Sequence, residues 1–199
     1  MVCELKFDGL AVALTYENGR FLRGATRGNG RVGEDVTRNL LTIEHLPKRV
    51  NGLVPSIFEV RGEVLFPVSE FDKLNRTRKT NGLPPYANPR NTAAGSLRQI
   101  DPKVTAGRPL DIYIYGVGYP EDGALPNTQH QTLEYLSEIG FNVSANTQLT
   151  RSPEDVTRYH HKWLAIRDDL DYAFDGIVVK VNRFDYQRHL GHVGREPRW

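Results

Sequence analysis

Apolar and polar residues alternate along several short segments of the chain, a pattern typical of half-buried β-strands. The alternation predicts strands at residues 3–8, 10–16, 20–26, 57–66, 111–116 and 173–182. Asn18-Gly19 separates the second strand from the third and is a strong signal for a two-residue hairpin. At least one pair of neighbouring strands is therefore expected to be antiparallel.

Helix signals occupy the stretches between the strands, at residues 34–41, 69–77, 91–99, 128–139, 152–169 and 186–190. Ser69, followed by Asp72, is predicted to cap one helix, and Ser152-Pro153 is typical of the start of another. Regular strand–helix–strand units are few. We therefore expect an α+β fold with mixed, largely antiparallel sheets and flanking helices, and not a doubly wound parallel sheet.

The composition excludes several classes of protein. Of 199 residues, 39% are hydrophobic and 25% are charged, which fits a chain that buries a core. The one cysteine, Cys3, cannot form an internal disulfide or a cysteine-based zinc site, and no apolar run approaches the roughly 18 residues of a membrane span. We expect a cytoplasmic monomer with no membrane partner.

The formal net charge of +2 is too small for a chain that coats nucleic acid by charge alone. Four arginines on and after the predicted hairpin could form a local DNA-facing surface or a merely solvated edge, and both readings stay open. They are Arg20, Arg23, Arg27 and Arg31.

The segment from Gly28 to Gly33 matches the G-x-G-x-x-G spacing of a dinucleotide-binding loop. Such a loop requires a parallel strand–helix–strand unit and an acidic residue about 20 positions later. The preceding strand belongs to a hairpin, and residues 51–54 contain no acidic residue. A glycine-rich turn is the better interpretation.

Charged residues are concentrated on one face of the first strand, at Glu4, Lys6 and Asp8, while Leu5 and Phe7 lie on the opposite face. Alternation alone leaves a solvated strand face as an equal alternative. Two further strands place charged groups in the same way, through Glu59-Val60-Arg61-Gly62-Glu63 and through the lysine that ends Asp175-Gly176-Ile177-Val178-Val179-Lys180. We therefore expect one pocket lined by Glu4, Lys6, Asp8, Glu63 and Lys180. Three arginines lie in loops or short helices suited to binding phosphate, namely Arg27, Arg90 and Arg98.

Short motifs carry these residues in a fixed order along the chain. They are Lys6-Phe7-Asp8-Gly9, Ala25-Thr26-Arg27-Gly28, the two strands just quoted, Asn88-Pro89-Arg90-Asn91, Ala94-Gly95-Ser96-Leu97-Arg98-Gln99 and Pro197-Arg198-Trp199. In order and spacing they resemble bacterial NAD-dependent DNA ligases, and the resemblance covers essentially the whole chain. The first is similar to the Lys-x-Asp-Gly motif of covalent nucleotidyltransferases. ATP-dependent ligases lack the Asn-Pro-Arg-Asn and Gly-Ser-Leu-Arg segments, so their presence argues against an ATP-dependent ligase or capping enzyme.

The resemblance implies that residues 1–199 are an adenylation domain core, truncated at both ends, with the covalent nucleotidyltransferase (ATP-grasp-like) fold. In that family a lysine attacks the α-phosphorus of NAD to form lysyl-AMP, AMP passes to the 5′-phosphate of nicked DNA, and the nick is sealed during DNA replication and repair. The implied cofactors are NAD and Mg²⁺, with zinc only in a downstream part of the parent. The implied partner of the full-length protein is nicked double-stranded DNA.

The resemblance also implies roles for single residues. Lys6 would be the nucleophile, with Asp8 and Lys180 as further catalytic groups and Lys180 near the α-phosphate. Glu4 would read the adenine edge, Tyr115 would stack on the base, Glu63 would hold the ribose and Arg27 would lie near the AMP. The other functional positions implied are Arg90, Arg98, Arg167 and Asp175, and no protein-bound metal site is implied.

Two alternatives stay open. We expect residues 1–199 on their own to be inactive, because we expect the family's module for the nicotinamide mononucleotide half of NAD and its DNA-binding domains to lie outside them. The chain could accordingly be an adenosine- or AMP-binding module that is inactive on its own. It could also be the core of an ATP-dependent nucleotidyltransferase.

Overall fold

The computed structural model describes residues 1–30, 32–120, 125–194 and 196–199. Within these ranges the strands are β1 (Val2–Phe7), β2 (Leu10–Glu17), β3 (Arg20–Thr26), β4 (Ile57–Leu65), β5 (Asp111–Pro120), β6 (Gln148–Leu149), β7 (Phe174–Lys180), β8 (His192–Val193) and β9 (Glu196–Pro197). The helices are α1 (Thr37–Leu40), α2 (Val68–Thr80), α3 (Pro89–Leu97), α4 (Pro102–Ala106), α5 (Gln129–Glu138), α6 (Pro153–Ala165) and α7 (Phe184–Leu190). None of these helices is long and apolar enough to cross a membrane.

The strands form two principal sheets, and neighbouring strands in both run antiparallel. The larger sheet has the order β3-β2-β4-β5 and the smaller one the order β6-β1-β7, while β8 pairs with β9. Asn18 and Gly19 both have positive φ, as the predicted tight hairpin between β2 and β3 requires. The prediction of mixed α and β structure with antiparallel sheets is therefore confirmed.

The larger sheet buries one face against helices. Alternate residues of β2, β4 and β5 form this face, and they pack with side chains from α1, α3 and α5 in the main core. The core includes Val12, Leu14, Tyr16, Phe58, Val60, Val64, Ile112, Ile114, Leu40, Leu97, Leu133 and Leu136. Because side chains alternate along a strand, the opposite face is left to carry Glu59, Arg61 and Glu63.

The smaller sheet has a core of its own. Cys3 and Leu5 of β1 pack with Phe174 of β7 and with Tyr159 and Trp163 of α6. Leu5 is thus buried as the alternation predicted, and the Glu4–Lys6 face of β1 points away from α6.

Aromatic rings join the two sheets. Phe7 at the end of β1 stacks on Tyr113 of β5, with ring centroids 4.8 Å apart, and meets the edge of Tyr172 at 5.2 Å. Tyr113 and Tyr172 also contact each other at 5.6 Å. We call these three residues the aromatic trio. It fixes the polar end of β1 beside the polar face of the larger sheet.

Several predicted helix boundaries are wrong. The helix predicted at 34–41 is only the four residues of α1, and the one predicted at 152–169 ends at Ala165 before a separate 3-10 turn, Arg167–Asp169. Ser69 does not cap α2: it lies within the helix, and its backbone N–H and hydroxyl both donate to Asp171. A distant segment thus supplies the acceptor that the local pattern assigned to Ser69.

Candidate active site

Lys6, near the end of the central strand of the smaller sheet, is held by a carboxylate from the neighbouring strand β7. Its Nζ donates to both carboxylate oxygens of Asp175, each at 2.7 Å. The antiparallel register, with Leu5 opposite Ile177, brings the start of β7 next to the end of β1. The Lys6 side chain keeps 53% of its surface exposed, so the amine is accessible to a ligand.

Glu4 lies two residues earlier on the same face, but in a different environment. It is buried, and its Oε2 accepts from Lys180 Nζ at 2.8 Å while Oε1 accepts from Gln129 Nε2 at 3.0 Å. Both donors also bond to the backbone carbonyl of Tyr115, at 3.2 and 3.0 Å. These contacts tie β1 and β7 to β5 and to the first residue of α5. We call Glu4, Lys180, Gln129 and Tyr115 the Glu4 cluster.

Lys180 therefore belongs to the Glu4 end of the pocket. In the sheet register it lies opposite Val2, whereas Asp175 follows Phe174, which lies opposite Phe7. Lys180 pairs with Glu4 and Asp175 pairs with Lys6.

Asp8, Gly9 and Glu63 connect β1 to the larger sheet. Asp8 Oδ1 accepts from Arg90 Nη1 at 3.0 Å, and the Gly9 N–H donates to the Glu63 carboxylate. A Cβ at Gly9 would stand 2.3 Å from the Val64 carbonyl oxygen of β4. Only glycine therefore allows the backbone at residue 9 to approach β4 this closely.

The Glu63 carboxyl has an unusual electrostatic environment. Burial raises its pKa to about 7, although the Gly9 N–H and the positive charges of Arg90 and Lys6 oppose the shift. A carboxyl that titrates near neutrality and lies among charged groups is typical of a functional site.

Tyr115 and Arg27 belong to the larger sheet, since Tyr115 lies on β5 and Arg27 directly follows β3. Burial raises the pKa of the Tyr115 hydroxyl to about 12, and Glu63, Arg27 and Glu4 are all close enough to influence it. The Arg27 backbone N–H donates to the carbonyl of Ala11, which lies opposite Glu63 in the sheet.

The whole chain, residues 1–199, matches the model of the family described as NAD-dependent DNA ligase adenylation domain. The chain belongs to this family. Proteins named DNA ligase from Dehalococcoides mccartyi (strain CBDB1) and Thermotoga maritima are 54% and 50% identical to it over 197 and 198 residues. A third, from Desulforudis audaxviator, is 50% identical over 199 residues. These alignments cover 99–100% of the chain, which spans only 28–30% of the length of these curated relatives.

In this adenylation domain, most of the residues singled out from the sequence lie close to one another where the two sheets meet, and we call this region the pocket. They are Glu4, Lys6, Asp8, Arg27, Glu63, Arg90, Tyr115, Asp175 and Lys180. That three strands line one ligand pocket stays a prediction.

Two predicted residues lie elsewhere. Arg98 forms a two-pronged ion pair with Glu34, including an Nη2–Oε1 bond of 2.7 Å, and lines a groove of about 1000 Å³ together with Arg23 and Arg38. Arg167 packs its guanidinium over the Phe174 ring, 5.7 Å from the centroid. No described contact joins either residue to Lys6, and Arg31 of the hairpin arginines lies outside the described ranges.

Gln129 is the member of the Glu4 cluster that sequence reasoning missed. Thr128, just before it, is the predicted helix start and does cap α5. Nothing in the local pattern indicates that the next side chain crosses to β1, because that contact joins residues 125 positions apart.

Proposed function

We propose that this adenylation domain transfers AMP from NAD to the Nζ of Lys6. The observation that carries the proposal is the environment of Lys6: an accessible amine, held by Asp175, in a pocket with a buried carboxylate cluster at one end. The family to which the chain belongs supports the same chemistry.

The pocket offers separate subsites along β1. Glu4 and Lys6 are two strand residues apart, about 7 Å, so one nucleotide can contact both. We assign the base to the Glu4 cluster with the Tyr115 ring, the ribose to Glu63, and the α-phosphate to Lys6 with Arg27 and Arg90. Arginine side chains suit phosphate because their paired N–H groups match its oxygens.

The proposed step is a nucleophilic displacement at the α-phosphorus. An N–P bond forms between Lys6 Nζ and the α-phosphorus, and the P–O bond to nicotinamide mononucleotide breaks with the electron pair leaving on that oxygen. The amine also has to lose a proton. Asp175 contacts Nζ and is the carboxylate placed to accept it.

Mg²⁺ is compatible with these residues as an ion held mainly by the substrate. Proteins bind Mg²⁺ through one or two carboxylates together with phosphate oxygens and water. Among the described residues no group of three His, Cys, Asp or Glu side chains is placed to hold a metal, but Asp175 would supply a carboxylate beside the phosphate. When bound, the ion would neutralise charge on the transferred group.

We extend the proposal to the longer protein in which such a domain works. There AMP would pass from Lys6 to the 5′-phosphate of nicked DNA, and the 3′-hydroxyl would displace it to seal the nick. Arg98 and Arg167, which lie outside the pocket, would serve phosphate or other partners in those steps. We further propose that residues 1–199 form one adenylation core and that its two joined sheets are the nucleotidyltransferase fold.

AMP binding and adduct formation test the proposal together. We expect calorimetry to detect AMP binding to the chain, and intact mass spectrometry after incubation with NAD and Mg²⁺ to find any AMP adduct on Lys6 alone. Lys6→Met should remove the adduct, whereas Lys79→Met, at an exposed lysine of α2, should not. The protein must first be freed of AMP carried over from the expression host, because that AMP would be mistaken for newly formed adduct. Absence of AMP binding, or an adduct that persists in Lys6→Met, would overturn the assignment.

A further inference from the structure

Gln129 is fixed in place from both its backbone and its side chain. It is the first residue of α5 and is buried, with 6% of its surface exposed. Its backbone N–H donates to the carbonyl of Asn182 at 2.7 Å, just after β7 ends. Its side chain amide donates to Glu4 Oε1 and to the Tyr115 carbonyl, both at 3.0 Å.

The chemistry of its partners dictates which way the Gln129 amide faces. An ionised carboxylate and a backbone carbonyl can only accept hydrogen bonds, so the NH₂ group must point at both. Lys180 makes the same pair of contacts from the other side, to Glu4 Oε2 and to the Tyr115 carbonyl. Each oxygen of Glu4 is therefore held by a different donor.

This arrangement fixes the carboxylate and leaves part of its accepting capacity unused. A carboxylate has about four lone-pair sites, and two of them are occupied here. The remaining sites can accept from a ligand donor but would repel a ligand acceptor at the same position. A carboxylate held only by Lys180 would keep its charge but would be free to turn about one contact.

We propose that Gln129 is a specificity-determining positioning residue that, through Glu4, makes the base end of the pocket prefer a 6-aminopurine over a 6-oxopurine. The inference rests on the proposed function, because it takes Glu4 as the group that reads the base. Gln129 itself acts through Glu4. An amino group at purine position 6 donates a hydrogen bond to the fixed carboxylate. A keto oxygen at that position is an acceptor, so the carboxylate repels it.

The test compares AMP with IMP on the complete 199-residue chain by calorimetry. Gln129→Met keeps the length of the side chain and removes both donors. We expect it to weaken AMP binding roughly 10-fold, the effect of losing one hydrogen bond to a charged group, and to change IMP binding much less, so the AMP/IMP preference falls. Gln131→Met, at an exposed glutamine of the same helix, should leave both affinities unchanged.

A double-mutant cycle separates this role from general support of the fold. In a Glu4→Gln background, Gln129→Met should no longer alter the AMP/IMP ratio, because the group it positions is gone. If Gln129→Met weakens AMP and IMP equally, or alters neither, the inference is wrong while the proposed function stands. If the unsubstituted chain binds neither nucleotide, the proposed function fails and the inference fails with it.

A second variant covers the case in which Gln129→Met does not fold. Gln129→Asn keeps the NH₂ group but is one methylene short of its two acceptors. It should shift the AMP/IMP preference in the same direction, and an unchanged preference in a folded Gln129→Asn chain would overturn the inference.

Discussion

At the scale of single residues, Glu63 shows how the pocket alters an ordinary side chain. Burial raises its pKa from the usual 4.5 to about 7. The folded chain therefore binds this proton more tightly than the unfolded chain. The corresponding stabilisation is fully present below pH 4.5 and is lost as the pH rises through 7, where the folded form has to carry a partly buried charge.

Glu63→Gln removes this titration and keeps the shape of the side chain. We expect the variant to gain stability relative to the unsubstituted chain as the pH rises from 4.5 to 7, with a constant difference above that range. Thermal unfolding at a series of pH values measures the difference. Glu59→Gln, four residues earlier on the same strand face, is the matched substitution for comparison. A pH-independent effect of Glu63→Gln would contradict the assigned environment.

At the scale of secondary-structure elements, the first turn of α3 carries a functional side chain. Asn88 caps this helix by accepting from the Asn91 N–H at 2.7 Å, and Pro89 occupies its first position. Arg90 follows directly and reaches Asp8 from there. The preceding loop is anchored to α2, because Asn75 exchanges two hydrogen bonds with the backbone of Tyr86.

Asn88→Ala should therefore weaken both the helix and the pocket. Loss of an N-cap costs about 1 kcal/mol of stability, and the frayed first turn would loosen the Arg90–Asp8 contact. We expect a lower unfolding free energy in denaturant titrations and weaker AMP binding. Asn88→Asp retains an acceptor at the cap and should restore most of the stability. Equal losses in the two variants would show that the cap is not responsible.

At the scale of the whole molecule, the pocket depends on how the two sheets are held together. Lys6, Glu4 and Asp175 come from the smaller sheet, whereas Glu63 and Tyr115 come from the larger one. The aromatic trio and the Glu4 cluster both bridge the sheets. A substitution in the aromatic trio should therefore alter AMP binding in the pocket, although it changes no residue assigned to the nucleotide.

Tyr113→Ala removes two of the three ring contacts in the trio. Aromatic pairs contribute about 0.5–1.5 kcal/mol each beyond their buried area, so we expect a measurable loss of unfolding free energy. We also expect weaker AMP binding, measured by calorimetry, because the two halves of the pocket would be less firmly oriented. Tyr113→Phe keeps the ring and loses only the hydroxyl contact with Asn142, so it should preserve AMP binding and most of the stability. Tyr186→Ala, at an exposed tyrosine, should leave AMP binding unchanged. Undiminished AMP affinity in a less stable Tyr113→Ala chain would show that the trio supports the fold but not the pocket.

The local signals in the sequence were sufficient for most strands and marked several charged residues beside Lys6, but they did not indicate Gln129. The alternation around Leu5, Val60 and Ile114 marks which face is buried, since that choice depends only on the two-residue period of a strand. The hairpin at Asn18-Gly19 was predictable for a similar reason: its backbone conformation suits those two residues in particular. The charged residues that remained on the other faces were then the natural candidates for a site.

Only the tertiary structure decided how those candidates are paired. Lys6 with Asp175, Glu4 with Lys180, and Gln129 with both Glu4 and Tyr115 are contacts between residues far apart in the chain. Ser69 likewise donates to the distant Asp171 instead of capping α2 as predicted. Local propensities act over a few residues, whereas the register of β1 against β7 and the meeting of the two sheets are set by packing, which no short segment of the sequence specifies on its own.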